Sequence, residues 1–142
     1  MVFGFFMKKE ILDIKNDFLL ICKAIALSYS SEDAGIFFED GEAVYDELAI
    51  VVDFRNGSYV CDTFERGKRY LGEPVSKESL LEDLADRATY AAAARLLKGK
   101  VNFLSQEQPK MIRQKQVELM LNVNVSWAES LKKKHAYFYG DS

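Results

Sequence analysis

The chain has 142 residues, 49% of them apolar and 13% aromatic, with only 2 prolines. It is long enough for one packed domain over residues 1–142 and too apolar for intrinsic disorder. A net charge of −3 gives no overall drive towards nucleic acid, and two cysteines with one histidine are too few for a zinc framework.

The opening run Met1–Met7 is apolar, but Lys8 and Lys9 follow it, the wrong order for an export signal. It is expected to form a short strand or to cover the core. No run approaches the length of a membrane span, so the chain is expected in the cytoplasm, with Cys22 and Cys61 as two buried thiols in preference to the one disulfide they could form. Ile11, Ile14, Phe18, Ile21 and Ile25 recur at steps of three and four, which predicts a helix from Lys8 to about Ser28. The period then changes. Ile50, Val52 and Phe54 alternate with Val51, Asp53 and Arg55, the beat of a half-buried strand, and Asn56-Gly57 signals a type I′ hairpin at its end. Ser58 to Phe64 is the predicted return strand, and Lys68 to Leu71 a third run beyond Gly67. Asp40-Gly41 reads as a second hairpin joining Gly35–Glu39 to Glu42–Tyr45.

From Ser76 the period returns to 3.6. Ser76 is the predicted cap of a helix with Glu78 in its first turn, Leu81, Leu84, Ala88 and Ala91 as its buried line, and Gly99 as its stop. Ser105 with Gln108 has the spacing of a capping box for a helix from Gln106 to Asn122, with Pro109 in its first turn. Ser126 with Glu129 repeats the box for a last helix through Lys134. The expected fold is therefore α+β: an N-terminal helix, an antiparallel β-meander of four to five strands, then three C-terminal helices.

Charge is unevenly divided. Residues 31–54 hold eight acids and no base, whereas residues 91–142 hold nine bases and four acids. The acids are Glu32, Asp33, Glu39, Asp40, Glu42, Asp46, Glu47 and Asp53, with nothing local to neutralise them. Two readings follow: a solvated strand edge that blocks unwanted pairing, or a docking surface for a basic partner. On the second, Glu39, Asp40, Glu42, Asp46 and Glu47 are the candidate partner-binding residues, with nearby aromatics as the buried centre. Catalysis by the same carboxylates is the alternative, as in a small hydrolase or nuclease. Glu39-Asp40-Gly41-Glu42 lacks the spacing of a calcium loop. The glycines form neither a phosphate loop nor a dinucleotide fingerprint. We expect no catalytic residue, metal or cofactor. His135 is expected to act as a partner of a helix C-terminus or as a tail residue, and Trp127 as a core residue or staple.

Several segments taken together resemble one family. They are Ser58-Tyr59-Val60 leading into Phe64-Glu65-Arg66-Gly67-Lys68, then Leu80-Leu81-Glu82-Asp83-Leu84 and Ala88-Thr89-Tyr90-Ala91-Ala92. Arg113-Gln114-Lys115-Gln116-Val117-Glu118-Leu119-Met120 and Ser126-Trp127-Ala128-Glu129 follow. In order and separation this set, over residues 58 to 135, resembles the immunity protein 63 family of bacterial polymorphic toxin systems, which include contact-dependent growth inhibition. The chain departs from it at Glu82 and Asp83, where the family usually has aromatics, and in ending Tyr137-Phe138-Tyr139. The resemblance implies a cytoplasmic inhibitor without catalysis that binds its cognate toxin domain stoichiometrically, blocking an active site or an exosite. It also implies that Glu65 and Arg66 fix a turn as an ion pair or touch the toxin. An oligomeric structural module remains a third reading.

Overall fold

The computed structural model describes residues 8–25, 31–39, 48–98 and 108–141. Its elements in chain order are α1 (Lys9–Ile25), a 3-10 turn (Ser31–Ala34), β1 (Ile36–Phe38), β2 (Ala49–Arg55), β3 (Ser58–Glu65), β4 (Lys68–Tyr70), α2 (Lys77–Leu97), α3 (Gln108–Leu121) and α4 (Val125–Tyr139). The class is α+β, with helix first, then strands, then three helices.

The sheet corrects the expected antiparallel meander. Its order is β1-β2-β3-β4, and β1 runs parallel to β2, with Ile36 opposite Ile50 and Phe38 opposite Val52. Residues 39–48, ten in all, connect these strands. That is ample chain to return past a three-residue strand before pairing begins. The Asp40-Gly41 hairpin and its Glu42–Tyr45 arm lie outside the described residues. Asn56-Gly57 does close β2 onto β3, with φ of 53° and 77°, and Arg66-Gly67 closes β3 onto β4 with 53° and 78°. Positive φ at both central residues is the type I′ geometry that matches strand twist.

Register assigns the faces. Ile36, Phe38, Ile50 and Val52 turn inward and join Ile11, Ile14, Phe18, Ile21, Cys22 and Ile25 of α1 in the main core. The α1 line is thus the one its three-and-four spacing predicts. Val51, Ala49 and Phe64 are buried on the opposite face with Phe37 against them. β2 is therefore covered on both faces down to Asp53, not half-buried. Cys22 is buried and Cys61 partly so.

In α2, Ser76 Oγ accepts from the Ser79 N–H at 3.1 Å, as its position predicts. Its buried line is Leu80, Leu84, Ala85, Ala88, Thr89, Ala92 and Ala93, one step round from the expected one, so Leu81 and Ala91 are only half-buried. Small side chains there let α3 approach closely. Gly99, Ser105 and Gln106 lie outside the described residues. α4 differs more. Its cap is Asn124, whose Oδ1 accepts from the Trp127 N–H at 3.0 Å, and Ser126 lies inside the helix. The helix also runs on to Tyr139, where Gly140 closes it in the left-handed conformation. Trp127 is half-buried against the core. Replacing Asn124 by Ala should cost about 1 kcal/mol in urea unfolding, while Ser126→Ala should stay within about 0.5 kcal/mol of wild type.

Candidate functional site

Of the five candidate docking acids, Asp40, Glu42, Asp46 and Glu47 lie outside the described residues. Glu39, just past β1, is largely buried, and its Oε2 is 2.7 Å from Arg69 Nη1 of β4. Of the other acids in that block, Glu32 is exposed on the 3-10 turn, while Asp53 on β2 is buried. The neutralising cations that residues 31–54 lack arrive from elsewhere in the chain. They come from Lys8 ahead of α1, from Arg55 at the end of β2 and from Arg69 on β4.

Asp62 is the hub. It lies on β3 opposite Val51, on the sheet's outer face, with 0% of its surface exposed. Arg55 grips it with both terminal nitrogens, at 2.6 Å to Oδ2 and 2.9 Å to Oδ1. Arg69 Nε donates to Oδ2 at 2.8 Å, and the Gly72 N–H donates to Oδ1 at 2.9 Å. Arg55 also reaches Asp53 Oδ2 at 2.9 Å, and Lys8 contacts Asp53 Oδ1 at 3.4 Å. Gly72 has to be glycine for this. A Cβ there would lie 2.1 Å from the Cys61 carbonyl oxygen, far inside contact distance. Glu65 ends β3 and Arg66 stands in the positive-φ corner of the β3–β4 turn, both exposed.

Burial by itself would push the Asp62 carboxyl up, but its hydrogen bonds from Arg55, Gly72 and Arg69 outweigh that and hold it at about 2. The bond to Asp62 raises Arg55 in turn. A general acid needs the opposite, a pKa raised towards neutrality and an oxygen open to substrate. Asp62 has its roughly four lone-pair sites filled by donors, so it holds strands together and does not transfer protons.

The helical side of the molecule carries a different arrangement. α2, α3 and α4 enclose a groove of about 500 Å³ lined by Arg87, Tyr90, Gln116, His135 and Phe138 among others. His135 lies in the last turn of α4, near the helix C-terminus, but is 8% exposed rather than a tail residue, with its ring edge-on to Tyr139. Burial lowers its pKa; Asp141 opposes that shift, and Arg113 and Lys134 reinforce it. Beyond it the helix ends in Tyr137, Phe138 and Tyr139, which are 83%, 70% and 61% exposed. That end is fixed. Arg113 pairs with Asp141 through Nε and Nη2 at 2.7 and 3.0 Å and lies 4.1 Å over the Tyr139 ring. Sequence spacing gave no sign of this cluster, because it read the last helix as stopping at Lys134.

Among the described residues no group of three or more His, Cys, Asp or Glu is placed to hold a metal ion, and no helix is long and apolar enough to cross a membrane. Comparison with protein-family models, curated proteins and solved structures finds no match to this chain.

Because the Asp62 pKa falls from 3.8 to about 2 on folding, the group contributes about 2 kcal/mol of stability above pH 4, lost as pH drops to 2. Denaturation titrations should show that slope in wild type. It should be absent from Asp62→Asn, which should also lose about 3 kcal/mol at pH 7 by removing the buried anion that the Arg55 and Arg69 guanidinium groups share. His135 acts with the same sign at higher pH. Folding lowers its pKa, so stability should decline as pH falls below 6.5, and His135→Gln should remove that part of the decline.

Proposed function

We propose that this protein is an immunity protein, which neutralises a cognate bacterial toxin domain by stoichiometric binding in the cytoplasm and performs no turnover of its own. The observation that carries this reading is the aromatic end of α4. Three consecutive large rings stand 61–83% exposed on a helix end held by an ion pair and a left-handed cap. Tyrosine and arginine are the residues that dominate binding energy at interfaces, and rigid rings lose little entropy on docking. Tyr137 and Phe138 meet edge to face at 4.9 Å, which presents one preformed surface.

The resemblance over residues 58 to 135 supports the same class. So does the state of the described carboxylates. Glu39, Asp53 and Asp62 are engaged by Arg55, Arg69 and Lys8, which weighs against a carboxylate-dependent hydrolase at those positions. Asp40, Glu42, Asp46 and Glu47 keep the role their charge suggests, steering a basic toxin surface into encounter. In this arrangement the acids govern the rate of association and the rings govern residence time.

A complex of standard size buries about 1,600 Å² in total, and protection in a cell calls for nanomolar affinity or better, about −12 kcal/mol. The test is growth of cells that produce the toxin domain encoded beside this chain, with binding kinetics on the purified pair. Tyr137→Ala with Phe138→Ala should leave the unfolding free energy within about 0.5 kcal/mol of wild type and speed dissociation about 30-fold or more. Charge reversal at Glu42, Asp46 and Glu47 should instead slow association and flatten its salt dependence. Full protection by both variants would refute this assignment of surfaces. Turnover of a substrate by the purified chain would refute the class.

A further inference from the structure

The groove between α2, α3 and α4 contains two buried polar groups whose hydrogen-bonding capacity the described residues do not fill. Gln116, 4% exposed, spends both amide hydrogens on α2: Nε2 donates to the Asp86 carbonyl at 2.9 Å and to Thr89 Oγ1 at 3.3 Å. Thr89 Oγ1 gives its own hydrogen to the Ala85 carbonyl at 2.7 Å, so it is an acceptor towards Gln116. The amide orientation is thereby fixed, since reversal would set Oε1 against the Asp86 carbonyl oxygen. Gln116 Oε1 is left without a donor among the described residues. The His135 imidazole likewise makes no hydrogen bond among them, although the residue is 92% buried, taking the complement of its 8% exposure. Buried polar atoms are almost always satisfied, by protein or by ordered water, and two such atoms in one cavity mark where a ligand's donors and acceptors would bond in place of water.

What that ligand offers can be read from the lining. Gln116 Oε1 requires a donor. A neutral imidazole supplies one donor and one acceptor. Tyr90 and Phe138 provide ring faces, and Arg87 at the rim is exposed and makes no ion pair among the described residues. A flat ring with alternating donors and acceptors along one edge, carrying an anionic group, meets all of these at once. Nucleobases have such edges and stack on aromatic side chains. A cavity of about 500 Å³ is within the usual range for a small-molecule site.

We propose that this groove is a binding site for a nucleoside monophosphate, with the base edge on Gln116 Oε1 and His135, the base against Tyr90 and Phe138, and the phosphate on Arg87. The site does not depend on the toxin-binding reading, because it uses the isolated chain and a soluble ligand.

His135 is the single histidine of the sequence, so its imidazole NMR signals report on the groove without ambiguity. The full chain is titrated with adenosine, guanosine, cytidine and uridine and with their 5′-monophosphates. At least one base should move the imidazole signals saturably, its monophosphate binding about tenfold more tightly than the nucleoside through the added charged contact. Arg87→Ala should abolish that advantage and leave nucleoside affinity unchanged; the side chain is exposed, so the fold is not at stake. Gln116→Leu should lose base binding. Three results would overturn the proposal. One is no saturable shift with any of the eight ligands at millimolar concentration. Another is the same shift from ribose 5-phosphate or inorganic phosphate alone. The third is binding of indole or p-cresol as tight as that of the best nucleoside, which would make the groove a socket for a partner protein's aromatic side chain.

Discussion

A carboxylate with no exposed surface, Asp62, determines how the outer face of the sheet is built. Removing its charge from water costs several kcal/mol, and the fold recovers that only by surrounding it with donors. Two guanidinium groups and one backbone N–H converge on it. Those donors come from β2, β4 and the turn after β4, and Arg69 carries the chain of contacts on to Glu39 beside β1. One anion therefore ties all four strands together. The glycine at position 72 follows from it, because only a residue without Cβ brings its N–H this near the Cys61 backbone. So does the state of Glu39 and Asp53, which share the cations that Asp62 gathers.

The helices solve their polar problem in another way. Alanines at 85, 88, 92 and 93 let α3 settle against α2, and Gln116 fastens the two by donating to the Asp86 carbonyl and to Thr89. Both hydrogens of the amide are consumed in that contact and its oxygen is not. His135 reaches the same groove from α4 and also has no hydrogen-bond partner among the described residues. The sheet network is thus closed upon itself, whereas the helical groove presents Gln116 Oε1 and the His135 imidazole with no partner among the described residues. The exposed rings at the end of α4 stand next to that groove.

Reading the sequence by period located the helices and most of the strands, because each rests on a local pattern. The α1 line at Ile11, Ile14, Phe18, Ile21 and Ile25 is buried as spaced, Ser76 caps α2, and Asn56-Gly57 turns β2 into β3. Where two local signals competed, spacing chose wrongly. Ser126 with Glu129 resembles a capping box, but Asn124 takes the cap two residues earlier and orients α4 accordingly. Counting charge over residues 31–54 also left Glu39 and Asp53 without cations, since Arg55 stands one residue past that window and Arg69 and Lys8 come from other elements.

Local chemistry thus determined which segments coil, which extend and where most of them turn, because backbone preference and side-chain period act over a few residues. It also determined the class, α+β, with one helix before the strands and three after. Only the tertiary structure decided that β1 runs parallel to β2, that Asp62 is fully enclosed, and that Gln116 and His135 meet in one groove. Each of these joins residues distant in sequence, and their energies depend on distance in space and exclusion of water, which no spacing along the chain encodes.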